Sequence, residues 1–146
     1  MYETYWTTVN GIHDLLKTCP NPDKTERKGG WSIQQVLGHL LDSASNNHQR
    51  LVRYNAQGNL DFPGYDQETF VRRAHYAELE FEWLLSLWYS YNQLLWHIID
   101  HIPPGDLDST IAVGDRPAVT ITALVQDYLA HIEIHYRQVE RIVNRL

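Results

Sequence analysis

Gly29-Gly30-Trp31-Ser32-Ile33-Gln34-Gln35-Val36-Leu37-Gly38-His39-Leu40-Leu41-Asp42-Ser43 reads as a loop that runs into a helix. Two glycines close the loop. Ser32 follows as an N-cap, and Gln35 three residues later completes a capping box. From there Ile33, Val36, Leu37, Leu40, Ala44 and Leu51 recur at helical spacing and form one apolar stripe. Gly58-Asn59 is expected to end this helix. A long helix with such a stripe must bury it against other elements, so its neighbours decide the fold.

Upstream, Tyr5, Val9, Ile12, Leu15 and Leu16 predict a first helix over about 2–18, stopped by Pro20-Asn21-Pro22. Downstream, Leu60 to Gly64, with Pro63, reads as a linker. A long third helix is expected from either Gln67 or Glu78 to His101. Its buried face is read as Leu84, Leu87, Trp88, Tyr91, Leu95, Ile98 and Ile102, with Pro103-Pro104-Gly105 as its stop. Residues 109–113 and 117–120 favour strand, with Gly114-Asp115 between them. A small β-hairpin near 109–120 and an extended loop are both open. A last helix is expected over about 122–146, lined by Leu124, Val125, Tyr128, Ile132, Val139, Ile142 and Val143. The pattern predicts one all-α domain over residues 1–146, a four-helix bundle.

Composition narrows the function. Hydrophobic residues make up 43% of the 146 and charged residues 21%, which suits a packed core and argues against disorder. A net charge of −6 argues against nucleic acid and against an anionic membrane surface, although Arg50, Arg53, Arg72 and Arg73 are unevenly spread. No apolar run approaches the ~20 residues that cross a bilayer. The first residues form no secretory leader, so a cytoplasmic protein is expected. Cys19 is the single cysteine, excludes an internal disulfide, and has no base beside it in sequence. Trp31, Trp83, Trp88 and Trp96 read as core or interface packing, with Trp31 anchoring the loop before the second helix.

The eight histidines carry the chemical signal. His97 and His101, and His131 and His135, each have the i, i+4 spacing that stacks side chains on one helix face. At about 100° per residue, His135 falls ~30° and His131 about 70° from the centre of their helix's apolar stripe, whereas His97 falls about 120° and His101 about 80° from theirs. The later pair faces the core. Buried imidazoles need partners, which are a shared divalent ion or ordinary Tyr, Asp and backbone groups. A third ligand would come from the second helix, from His39 or His48. His39 stands in a polar line with Ser43, Asn46 and Arg50, either the wall of a cleft or a solvated flank. Asp42 falls about 180° from the stripe and is not expected to be catalytic. Asp127 and Gln138 lie one turn from His131 and His135, placed either to orient those rings or as ordinary helix surface. Arg50 and Arg53 are placed to hold carboxylates or to be solvated.

The stretch from Gly29 to Ser43 resembles the Gly-Gly-Trp…His-Leu motif of the DinB/YfiT-like superfamily, and His131-x-x-x-His135-x-x-Gln138 resembles that family's closing motif. The likeness extends over nearly the whole chain. It implies a four-helix bundle with one divalent ion on His39, His131 and His135, the ion being zinc or nickel, or else iron. It implies a small-molecule substrate and a homodimer. Three protein ligands leave a tetrahedral ion one open position, the pattern of a catalytic site. The first functional expectation is a thiol S-transferase that joins a low-molecular-weight, bacillithiol-like thiol to electrophiles. The second is a metal-dependent hydrolase, and the third a metal-binding stress protein without turnover. The sequence names no catalytic residue beyond the ligands.

Overall fold

The computed structural model describes residues 3–54 and 61–145. Four long helices make the bundle: α1 (Glu3–Leu16), α2 (Ile33–Arg53), α4 (Phe81–Asp100) and α5 (Ile121–Asn144), with a short α3 (Gln67–Ala74) outside it. Each long helix packs chiefly on two others, in the cyclic order α1, α4, α2, α5, so the consecutive helices α1 and α2 lie on a diagonal. Three short strands complete the fold. β1 (Asp61–Phe62) pairs parallel to β2 (Thr110–Val113), and β2 pairs antiparallel to β3 (Val119–Thr120), with Ile111 opposite Val119.

The start of α2 follows the sequence closely. Ser32 Oγ accepts from the Gln35 amide at 3.2 Å, and Gln35 Oε1 accepts from the Ser32 amide at 2.9 Å. The two helical N–H groups before Gln35 would lack intrahelical acceptors. The incoming loop supplies them: the Ile33 amide donates to Lys24 O and the Gln34 amide to Pro22 O, both at 2.9 Å.

The amphipathic reading of α2 is incomplete, because this helix has a second buried face. Gln34, Gly38 and Asp42, one turn apart, are all buried. Gln34 Nε2 donates to the carbonyls of Tyr76 and Leu79 at 2.5 and 2.6 Å, and Tyr76 OH donates to Asp42 Oδ1 at 2.6 Å. Asp42 therefore does not face solvent, as its angle from the stripe implied; Tyr76 covers it.

Of the two starts expected for the third helix, Gln67 and Glu78, the later lies nearer the observed one at Phe81, and the stretch from Gln67 forms the separate α3. His75 takes a left-handed conformation at φ 53°, ending α3, and residues 76–78 form a single 3₁₀ turn before α4 begins. No glycine or proline announces this break. The expected linker at 60–64 contains β1, and Gly58-Asn59 lies outside the described residues. Within α4, Leu85 is buried and Leu87 exposed, the reverse of the expected assignment for Leu87; Trp83 is also exposed. The buried polar residue of α4 is Asn92. Its Oδ1 accepts from Tyr5 OH at 2.7 Å and Tyr128 OH at 2.6 Å, tying α1, α4 and α5 together in the core.

The hairpin option is the one realised. Gly114 turns the chain at φ +59°, a region that favours glycine, and its amide donates to Phe62 O at 2.7 Å. The sheet thus pins the turn after β2 over one end of α2 and α5.

Gly38 gives a direct test. A Cβ there would sit 2.2 Å from Tyr76 Cδ2, inside the ring's van der Waals envelope. Alanine improves helix propensity by about 1 kcal/mol, whereas overpacking a close-packed site costs about 1–3 kcal/mol. Displacing the ring also breaks its bond to buried Asp42. Gly38→Ala is therefore expected to lower the urea midpoint of unfolding; a raised midpoint would contradict this packing.

Candidate metal centre

Two helices bring three imidazoles to one point. His39 of α2 is 1% exposed, and His131 and His135 of α5 are half-buried. His39 Nε2 lies 2.9 Å from His131 Nε2, which lies 3.1 Å from His135 Nε2. The His39 and His135 ring centroids are 4.8 Å apart and nearly perpendicular. Trp31 covers the outer side of His39, with centroids 4.9 Å apart, while its Nε1 donates to Glu68 Oε2 at 3.1 Å and so ties α3 to the site.

Protonation decides what this cluster can do. Burial, then the neighbouring His135 and His131, push the His39 pKa down to about 3. Burial, then His135, lowers that of His131 to about 4. Burial also lowers that of His135, with Gln138 partly opposing it. All three rings are neutral at pH 7. His135 Nδ1 lies 2.8 Å from Gln138 Oε1 and must donate to it, which leaves the Nε2 of His135 as a bare lone pair.

Hydrogen bonding alone cannot satisfy the cluster. His131 Nε2 takes part in both short contacts, yet a neutral ring nitrogen is either one donor or one acceptor. At most one of the two can be a well-aligned hydrogen bond. The buried Nδ1 atoms of His39 and His131 have no partner either, so no alternative network takes the rings. A tetrahedral ion at about 2.0–2.1 Å from each nitrogen would hold them about 3.3–3.4 Å apart. The two spacings at His131 are within about half an ångström of that, and all three ligand atoms lie within 4.8 Å of one another. Three neutral imidazole donors are a sound set for a borderline divalent ion. Among the described residues, no carboxylate or thiol joins them.

His39 and His131 open onto a cavity of about 860 Å³ between α2, α5, the 64–67 segment and the turn after β2. Its α2 wall is His39, Ser43, Asn47 and Arg50; Arg116 comes from the turn and Tyr65 from the segment before α3. The polar line expected on α2 is thus a cavity wall and not a solvated flank, with buried Asn47 in place of Asn46. Asp127, from α5, is exposed and belongs to the cavity lining. His48, the other option on α2, is engaged elsewhere, its Nδ1 lying 2.7 Å from Tyr91 OH. His97 and His101 are exposed. Arg53 sits over the Phe62 ring at 5.9 Å, outside the cavity lining. Tyr65 and Arg116 were not legible in sequence, since both lie in connecting segments without periodicity. The only local sign was Gly114-Asp115, a turn that has to point somewhere.

The depressed histidine pKa values set a pH dependence for the metal-free protein. Below the ordinary value of 6.5 the unfolded chain binds protons that the folded cluster refuses. Stability should hold above pH 6.5 and fall progressively toward pH 3–4. Urea midpoints of chelator-treated protein at several pH values should show this slope. A His39→Ala, His131→Ala double variant should flatten it.

The sequence matches the model of the DinB superfamily over residues 8–139. Two proteins of Oceanobacillus iheyensis, both provisionally named metal-dependent hydrolases, are each 25% identical to it. The first aligns over 94% of this chain and 84% of its own length, the second over 87% and 74%. Among solved structures, YfiT from Bacillus subtilis, described as a four-helix bundle of unusual topology, superimposes with a TM-score of 0.81. That match covers 98% of this chain and 86% of YfiT at 17% identity, which establishes a common fold. Matched along nearly its whole length, the chain belongs to the DinB superfamily.

Proposed function

We propose that this protein is a mononuclear metal enzyme that joins a low-molecular-weight thiol to a small electrophile. The observation that carries the reading is the convergence of three neutral imidazoles, two of which open onto a cavity, with no carboxylate in the ligand cluster itself among the described residues. His39, His131 and His135 would hold the ion, zinc or nickel by donor type, with iron the third option. Bound there, a divalent ion supplies Lewis acidity that keeps a thiol deprotonated near neutral pH, or brings a water toward a pKa of about 7.

The chain's own residues do the rest. Gln138 fixes the His135 tautomer, so that its Nε2 lone pair points at the cluster. Trp31 shields His39 from water on one side. The cavity, at about 860 Å³, is large enough for a thiol and an electrophile together. Transfer forms a carbon–sulfur bond; the leaving group departs with its electron pair, and the thiol proton passes to solvent. A thiol needs no protein base for this, because its proton passes to solvent. Hydrolysis is the second reading, favoured by the names of the two Oceanobacillus relatives.

Protein purified without a nickel column should contain one divalent ion per chain by elemental analysis. His135→Ala should lose it, and Gln138→Ala should bind it about 10–100-fold more weakly. The metal-loaded protein should consume a thiol with chlorodinitrobenzene, at a rate that falls at least about 100-fold in His135→Ala. Ester or amide turnover without added thiol would instead select the hydrolase. Metal binding with neither activity would leave the non-catalytic metal-binding protein.

A further inference from the structure

Arg50 is a half-buried guanidinium on the cavity wall without a counter-charge. Its one hydrogen bond among the described residues goes to Asn47 Oδ1 at 3.5 Å, the outer limit of such contacts. No carboxylate of the described residues lies within ion-pair distance of it, or of Arg116, which lines the same cavity. Asp115 and Asp127 share the lining and pair with neither arginine. Burial lowers the pKa of Arg50, the Tyr65 phenol partly opposes this, and the like charge of Arg116 lowers it further. Removing a guanidinium from water beside a second one is unfavourable unless an anion joins them.

The position of Arg50 says how such an anion relates to the histidines. His39, Ser43, Asn47 and Arg50 line one wall on a single face of α2. Arg50 lies about three turns beyond His39, roughly 16 Å along the axis. Helix side chains lean toward the N-terminus, and the guanidinium reaches back to Asn47; the His39 ring leans the same way, so the two ends stay on the order of 10–15 Å apart. Ser43 and Asn47 are polar and buried between the two ends.

We infer that this end of the cavity is an anion site, where Arg50 and Arg116 hold the carboxylate or phosphate of an elongated substrate whose reacting end lies at the histidines. The inference rests on the cavity being the substrate cavity of the metal centre. It replaces the pairing of Arg50 with Arg53, which the structure separates, by Arg50 with Arg116 from the β2–β3 turn. The arginine fork suits the two oxygens of a carboxylate or phosphate group.

Glutarate, its neutral diamide and inorganic phosphate serve as probes, titrated calorimetrically at low salt into zinc-loaded and chelator-treated protein. Glutarate or phosphate should bind in both forms, the stronger of the two identifying the anion, and the diamide should not bind. Arg50→Gln should weaken anion binding at least about tenfold, with Arg50→Lys intermediate. Arg116→Gln, on an exposed turn where folding is not at risk, should weaken it measurably too. Diamide binding equal to that of glutarate, or wild-type anion affinity in both glutamine variants, would overturn the inference. So would anion binding that requires zinc, since the anion would then sit on the ion. Anion binding that persists in protein unable to take up any metal would refute only the metal-enzyme reading.

Discussion

Burying α2 on two opposite sides is the constraint on which the rest of this structure depends. A helix with one wet face can carry polar residues there at no cost. Here every polar group on α2 that leaves water must find a partner or carry an unsatisfied atom. Gln34 and one oxygen of Asp42 find theirs in the Tyr76–Leu79 turn. Ser43 and Asn47 bond along the helix itself, through Asn47 Nδ2 and the Ser43 carbonyl at 2.9 Å. His39 has only other imidazoles. Among the described residues, the burial of α2 thus leaves two side-chain atoms without a hydrogen-bond partner, Asp42 Oδ2 beneath Tyr76 and His39 Nδ1 at the candidate centre.

Much of this was legible in sequence, and the reasons are local. The capping box at Ser32 and Gln35 depends on residues three apart, so the chain declares it. The inward facing of His131 and His135 follows from the phase of a long helix, which a clear apolar stripe fixes well. His39 could be placed on its helix but not in its environment. Whether a flank is solvated depends on what covers it, and the cover comes from Tyr65, the turn after β2 and α5, remote in sequence. The burial of Asp42 was hidden for the same reason, since reading one apolar stripe assumes one buried face. The two starts left open for the third helix could not be resolved in sequence, because the break at His75 accompanies the seating of Tyr76 against Gly38, a tertiary contact.

The short sheet has a role out of proportion to its size. Two residues of β1 and four of β2 add little hydrophobic burial, yet Gly114 and its bond to Phe62 hold the next turn over the cavity. Residues 115–117 are exposed and belong to the cavity lining all the same. Helices supply the fixed donors, and a connecting turn supplies the adjustable wall. Substitutions in this turn can therefore reshape the cavity without touching the core.

The diagonal placement of α1 and α2 has a consequence for the chain as a polymer. His39 and His131 are 92 residues apart, and the bundle brings them together only when the last helix docks. An ion gripped by both would act as a removable staple across that span. By analogy with a covalent cross-link, closing a loop of this length removes about 4–5 kcal/mol of freedom from the unfolded chain. In a protein with a single cysteine, which cannot staple itself through sulfur, three imidazoles would then serve the topology as much as the chemistry.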